Sequence, residues 1–235
     1  MRLHAREENP EFVPAPASLT RRVLAVSAVL AASAGYTNVV LLRSEFTAVT
    51  HITGTVSALS ADVGASDVKD AVRVLSIIAS FICGAMISGF ILGGESLRLG
   101  RPYGVAMMTQ GLLLAAGTAL LWQGFPMGVQ AVAVSAGLQN AMASSYGGLI
   151  IRTTHVTGVA TDLGFRLGAW IRRREIEVWT LVHLEALIGG FFVGGVVGAI
   201  AAARWGSGAL LIPAGIVTAL GAGYYTLRAG RVSAP

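Results

Sequence analysis

Charged side chains are scarce in this sequence. Asp, Glu, Lys and Arg supply 12% of its 235 residues, against roughly a quarter in soluble domains. Hydrophobic residues make up 54% and glycine 30 positions, more apolar surface than a water-soluble fold of this size covers, so the expected solvent is a lipid bilayer. Lysine occurs once, at Lys69, and arginine provides 16 of the 17 basic residues behind the net charge of +5. These arginines stand at the ends of apolar segments and in the tails, a distribution that orients a chain in a membrane and does not build a nucleic-acid surface. The single cysteine, Cys83, lies inside an apolar run, which excludes an intrachain disulfide and a cysteine metal cluster. There is no His-Glu-x-x-His, Gly-x-Ser-x-Gly or Cys-x-x-Cys, so hydrolytic and thiol-redox chemistry lack their usual groups and no enzyme is expected. His51 and His155 with Asp62 or Glu185 are metal-ligand types, but nothing fixes their spacing across helices, and no metal or other cofactor is expected.

What is present is a repeat. Thr50-His51-Ile52-Thr53-Gly54 returns as Thr154-His155-Val156-Thr157-Gly158, and each copy follows an Ala-Gly-x-x-Asn group that ends at Asn38 or Asn140. Asn38 and Asn140 are 102 residues apart and Thr50 and Thr154 are 104 apart. The match continues through Leu59 and Leu163, then Gly64 and Gly168, and weakens to Phe-x-x-Gly-small at Phe81 to Ala85 and Phe191 to Gly195. Matches in order at a nearly fixed offset indicate duplication. The expected organisation is a polar, disordered, cytosolic tail (1–20), a first membrane unit (21–123) and a second (127–228).

Each unit contains three apolar stretches and one polar one. The expected spans are Val23–Leu42, Ala71–Gly93 and Tyr103–Trp122, then Met127–Ser144, Val178–Ala203 and Ala209–Leu227. Each has the ~20 residues needed to cross about 30 Å of hydrocarbon. A cleaved signal peptide competes for the first, because Ala31-Ala32-Ser33-Ala34 resembles a cleavage site. Cleavage there would sever the repeat just before Gly35 and Asn38. The polar stretches, Phe46–Gly64 and Thr154–Trp170, carry Thr, His, Ser and Asp and are too polar for ordinary lipid-facing spans. If both cross, there are eight spans and the halves are parallel. If both enter and return on one side, there are six spans and the halves are inverted. Six spans with the N-terminus inside place Arg98, Arg101, Arg152, Arg172 to Arg174, Arg228 and Arg231 in the cytosol, which the positive-inside rule favours. The expected fold is therefore an all-α integral membrane protein of two tandem, inverted repeats, each with three transmembrane helices and one polar re-entrant helix.

A re-entrant helix that begins near mid-bilayer leaves its first N–H groups without intrahelical acceptors, and such backbone persists only inside protein or beside a water-filled cavity. Two such N-termini from inverted repeats would meet near the midplane and favour an anion or a carboxylate. The candidate substrate-binding residues are Asn38, Thr50, His51, Thr53, Gly54, Asn140, Thr154, His155, Thr157 and Gly158. For each there is a plainer role: Thr and Asn bond between helices, and the histidines cap the turns. Glu185, seven residues into an apolar span, is the candidate for proton or ion coupling, or else forms a structural ion pair, with Arg166 or a hydroxyl of a polar segment as the expected partner. Gly190, Gly194 and Gly198 form a close-packing face, read either as a homodimer contact or as packing within one chain.

The paired motifs, Ala-Gly-x-x-Asn with His51-Ile52-Thr53-Gly54 and Gly137-Leu138-Gln139-Asn140-Ala141 with Thr154-His155-Val156-Thr157-Gly158, resemble the bacterial YoaK-like family of small membrane proteins of unknown function (DUF1275). The resemblance covers about residues 23–228. It implies a multi-pass bacterial inner-membrane protein with about six spans and supplies no substrate. Family members carry Asn after the first Thr-Gly where this chain has Thr55. The leading functional expectation is a secondary transporter or channel for a small anionic or protonatable solute, by analogy with other inverted repeats that contain broken helices. The alternative is a membrane scaffold or binding protein in which the polar segments only hold the bundle together.

Overall fold

Proline is kept out of the apolar interiors. Pro102, Pro126 and Pro213 all sit at or just before helix starts, where a missing N–H has no intrahelical acceptor to lose. The computed structural model describes residues 17–45, 47–93, 100–144, 155–172 and 178–229, and these are all-helical. In chain order the helices are α1 (Ala17–Ser44), α2 (Ile52–Gly64), α3 (Val68–Leu92), α4 (Arg101–Trp122), α5 (Met127–Ser144), α6 (Val156–Ile171), α7 (Val178–Trp205) and α8 (Leu211–Ala229), with a 3-10 turn, Gly206–Leu210, between the last two. The α1 helix begins inside the segment read as a tail. Local chemistry sets several other ends: the Asp67 side chain accepts from Asp70 N at 3.1 Å and starts α3, and Gly93, at φ +68°, ends it. Trp122 and Trp205 close α4 and α7, as interfacial aromatics do.

Four stretches are long and apolar enough to cross a membrane: Leu24–Ser44, Val68–Leu92, Arg101–Trp122 and Val178–Leu227, the last holding both α7 and α8. The α5 helix has the expected bounds but is not among them, because it carries Gln130, Ser135, Gln139 and Asn140. Two of these face inward and are satisfied there. Gln139 Nε2 donates to Leu30 O at 2.8 Å, Gln110 Nε2 donates to Gln139 Oε1 at 2.7 Å, and Ser135 Oγ donates to Gln110 O at 3.0 Å. The polar helices are short: α2 has 13 residues and α6 has 16, so at 1.5 Å per residue α2 is about 20 Å long and α6 about 24 Å, less than a hydrocarbon core.

Glycine lets the long helices touch backbone to backbone. Between α1 and α7, a methyl on Gly35 would overlap Phe191 O, and one on Gly194 would overlap Ala32 O. Between α3 and α5, a methyl on Gly137 would overlap Phe81 O, and one on Gly84 would overlap Val134 O. Between α4 and α8, Gly104 meets Gly221 O and Gly111 meets Ala214 O. Along α1/α7 the pairs Ala28/Gly190, Ala32/Gly194 and Tyr36/Gly198 rise together, and along α3/α5 so do Ser76/Gln130 and Gly84/Val134, so each pair runs parallel. Along α4/α8 they run in opposite senses, so that pair is antiparallel. Gly190, Gly194 and Gly198 face Ala28, Ala32 and Tyr36 of α1. Of the two readings of that face, homodimer contact or packing within one chain, the structure has the second, because α1 already fills the groove the three glycines make.

Cores lie at both ends of the bundle. Leu41, Leu114, Val132 and Leu210 fill one, where Tyr36 Oη also donates to Ala209 O at 3.0 Å. Leu30, Tyr103, Leu138 and Met142 fill the other. The perimeter is apolar instead of polar: Phe90 is 89% exposed and Phe192 68%, an arrangement suited to lipid and hostile to water.

Because the helix contacts depend on missing side chains, Gly35→Ala and Gly137→Ala are expected to destabilise the detergent-solubilised protein by ~1–3 kcal/mol each. Gly89→Ala, where an added methyl meets nothing within 4 Å, should leave the melting temperature unchanged or raise it. Equal effects from all three in a thermal-melt assay would contradict the packing described.

Candidate functional site

The chain leaves α1 at Ser44 and turns back, so that Thr50 and His51 lie beside Asn38, on the same helix and two turns before its end. Asn38 and Thr50 are buried. Asn38 Oδ1 accepts from Thr50 Oγ1 at 2.9 Å and from Thr50 N at 3.4 Å. His51 closes the group, with Nδ1 3.2 Å from Thr50 Oγ1 and Nε2 3.5 Å from Asn38 Nδ2. The α2 helix starts directly after, with His51 in extended backbone conformation and no side chain capping its first turn. Thr55 Oγ1 instead donates back to His51 O at 3.1 Å. Farther along, Arg73 Nη2 of α3 donates to Glu45 O at 3.4 Å and to Thr47 Oγ1 at 3.3 Å, which ties the returning loop to α3.

The second motif leads into α6, which begins at Val156. His155 stands at its N-terminus, no side chain caps the first turn, and His155 is exposed where His51 is half-buried. Thr154 lies outside the described residues.

Both helix starts open onto one cavity of about 770 Å³, within the range of small-molecule sites. The structure brings Thr50, His51, Thr53, Gly54, Asn140, His155 and Thr157 to its wall. Four of these come from the first motif and two from the second, more than 100 residues away in sequence. Gly54 leaves open space, since a methyl there would meet nothing within 4 Å. Asn38 does not line the cavity; it holds Thr50 and His51 in place from behind. Gly158 is half-buried in α6 and also lies outside the wall.

Glu185 is not part of the site. It is exposed on α7, no ion pair joins it to Arg166, and its neighbour His183 is the residue that turns inward. Two positions apart on a helix is about 200° of rotation, so the two cannot share a face.

Much of the wall is apolar and escaped the motif reading: Val39, Ile188, Phe192 and Val196, with Phe81 and Phe191. Only the two phenylalanines carried a signal, as the first residues of the weaker repeat match. Phe191 packs its ring 6.3 Å from that of His51, tilted by 49°. No Asp, Glu, Lys or Arg lines the cavity among the described residues. Its polar character comes from hydroxyls, imidazoles, one carboxamide and two uncapped helix N-termini, whose positive dipole ends and free N–H groups suit a negatively charged or hydrogen-bond-accepting guest. Apolar walls with a few convergent polar groups are the usual make-up of a small-solute site.

A family model described as "Protein of unknown function (DUF1275)" matches residues 26–223. No curated protein and no solved structure matches the chain.

The shared wall makes a direct expectation. In a Cys83→Ser background, Thr53→Cys and Thr157→Cys introduced together should be bridged by a short bifunctional thiol reagent, read by intact mass as one reagent attached at both ends. Two independently capped thiols, with no bridge, would separate the two motifs.

Proposed function

Since the chain belongs to the DUF1275 family, whose function is unknown, we propose a function from its geometry: a secondary transporter or channel for a small anionic or protonatable solute, held between the two Thr-His-x-Thr-Gly segments. The observation that carries this reading is the single cavity lined by both motifs and entered by two uncapped helix starts. A scaffold would need the motifs only as braces, and the cavity-facing Thr53 and Thr157 brace nothing through their own hydroxyls among the hydrogen bonds described.

The transport reading includes inverted repeats. The α3 and α7 helices start 110 residues apart, at Val68 and Val178, and α4 and α8 also start 110 apart, at Arg101 and Leu211. Exchanging the halves turns the Gly35/Phe191 contact into Gly137/Phe81 and the Gly104/Gly221 contact into Gly111/Ala214. Equivalent helices α4 and α8 run antiparallel, which supports inversion, and the shortness of α2 and α6 supports re-entry over crossing. Six spans follow, with both termini cytosolic in a bacterial inner membrane. The α2–α3 turn then lies outside with Lys69, and the start of α4 lies inside with Arg101. Inverted repeats that meet at broken helices are a transporter architecture, and that step is an analogy from architecture to activity.

Two measurements test this. In cells carrying Cys83→Ser, a membrane-impermeant thiol reagent should label Ser66→Cys and leave Gly100→Cys unlabelled; the reverse pattern would favour parallel halves and remove the meeting of half-helices. For binding, a panel of small carboxylates and inorganic anions should include members that raise the melting temperature of the purified protein. His51→Ala and His155→Ala should each abolish that rise while Gly89→Ala retains it. A rise that survives in both histidine variants places the solute elsewhere.

A further inference from the structure

The hydrogen-bonded group at the break before α2 has a definite proton arrangement. A main-chain N–H only donates, so the Asn38 oxygen, which accepts from Thr50 N at 3.4 Å and Thr50 Oγ1 at 2.9 Å, must point toward Thr50. The Asn38 NH2 is then the group that faces His51 Nε2, 3.5 Å away. An amide NH2 also only donates, which makes Nε2 the unprotonated nitrogen. The ring proton sits on Nδ1 and is donated to Thr50 Oγ1, 3.2 Å away, while the Thr50 hydroxyl proton goes to Asn38. Each contact around this closed ring then has one donor and one acceptor, and only a neutral Nδ1–H imidazole satisfies it.

A proton on Nε2 would set N–H against NH2. Turning the amide over presents its oxygen to Nε2–H, but it also turns NH2 toward Thr50 N, which loses its acceptor in an apolar setting where a lost acceptor is costly. The added proton and the closed ring therefore exclude one another.

Among the described residues, the surroundings offer the proton no counter-ion. Of the elements around the cavity, α6 brings one other titratable side chain, His155; α1, α3 and α5 bring Val39, Phe81 and Asn140, and α7 brings only apolar residues and glycine. The charged groups that flank the break, Arg43, Glu45 and Arg73, do not line the cavity, and Arg73 is engaged by Glu45 O and Thr47.

We propose that His51 Nε2 is the proton-coupling site of this protein, and that proton binding there releases Thr50 and His51 from Asn38 and opens the start of α2 to the cavity. The inference rests on the solute-binding reading above and moves the coupling role from Glu185 to His51. The proton enters from the aqueous side of the cavity onto the Nε2 lone pair, no covalent bond breaks, and the cavity gains one positive charge beside two helix N-termini. A monoanion entering with the proton cancels that charge.

The test is made on the full chain in detergent micelles, without solute, using 15N-labelled histidine. The chain has four histidines, His4, His51, His155 and His183, and the His51 signals are those lost in His51→Gln. The expected neutral form has the proton on Nδ1, the minority tautomer of a free histidine side chain. Asn38→Asp puts a carboxylate oxygen in place of the NH2 and should raise the pH at which His51 protonates by about one unit or more. In Cys83→Ser/Thr53→Cys, the alkylation rate relative to Cys83→Ser/Ser66→Cys should rise several-fold as pH falls through the His51 midpoint and stay flat in His51→Gln. An Nε2–H tautomer in the unsubstituted chain, or a flat relative rate, overturns the proposal, and either reading stands even if Asn38→Asp does not fold. Because no solute is present, failure of every anion to bind would sink the transport reading and leave this result intact.

Discussion

Peptide groups freed from a helix in an apolar medium must find other partners, and that requirement organises this molecule. The chain breaks its helical hydrogen bonding before α2 and again before α6. At the first break the replacement partner is visible: Asn38, a residue of the preceding helix, accepts the Thr50 N–H and the Thr50 hydroxyl together. Where no side chain substitutes, as in the first turns of α2 and α6, the backbone faces a cavity. The same demand explains Gln139, whose amide links α5 to Leu30 of α1 and to Gln110 of α4. In the sequence Gln139 looks like part of the motif beside Asn140. In the structure it is a brace between helices.

The second constraint is distance. Helices that meet at glycine approach until backbone carbonyl oxygens lie where a methyl group would otherwise be, and close contact of this kind replaces the hydrophobic effect that lipid does not supply. The closest approaches sit between α1 and α7 and between α3 and α5, so each pair joins one helix from each half. These contacts bring α2, which packs on α3, and α6, which packs on α7, to one cavity. That also settles the use of Gly190, Gly194 and Gly198, which pack against the chain's own α1.

A good part of this was legible beforehand. The paired Thr-His-x-Thr-Gly motifs marked most of the polar wall of the cavity, because a duplicated, polar, glycine-containing pentapeptide in an apolar chain stands out against its background. Helix bounds came close for the same reason: apolar runs end where charge, glycine or tryptophan begins. The apolar wall was harder to see, since Val39, Ile188 and Val196 differ in no local respect from their lipid-facing neighbours. For Glu185, depth along a helix does not tell which way its side chain points, and it points outward, away from the cavity. The α5 helix shows the opposite weakness of hydropathy: its glutamines lower the average, yet Gln139 is among its most buried residues.

Composition and order of residues, taken alone, determined an apolar helical chain and the residue types placed at each break, since these depend on local pattern and on the cost of exposing peptide groups to hydrocarbon. Which residues face each other was decided by the tertiary structure. The parallel α1/α7 and α3/α5 contacts and the antiparallel α4/α8 contact join helices far apart in the chain, the Asn38–Thr50–His51 ring closes across the break between α1 and α2, and the exposure of His155 depends on what packs beside α6. A linear pattern carries periodicity and spacing but not the rotation of one helix against another, and it is that rotation, set by which glycine meets which carbonyl, that turned two repeated pentapeptides into one cavity.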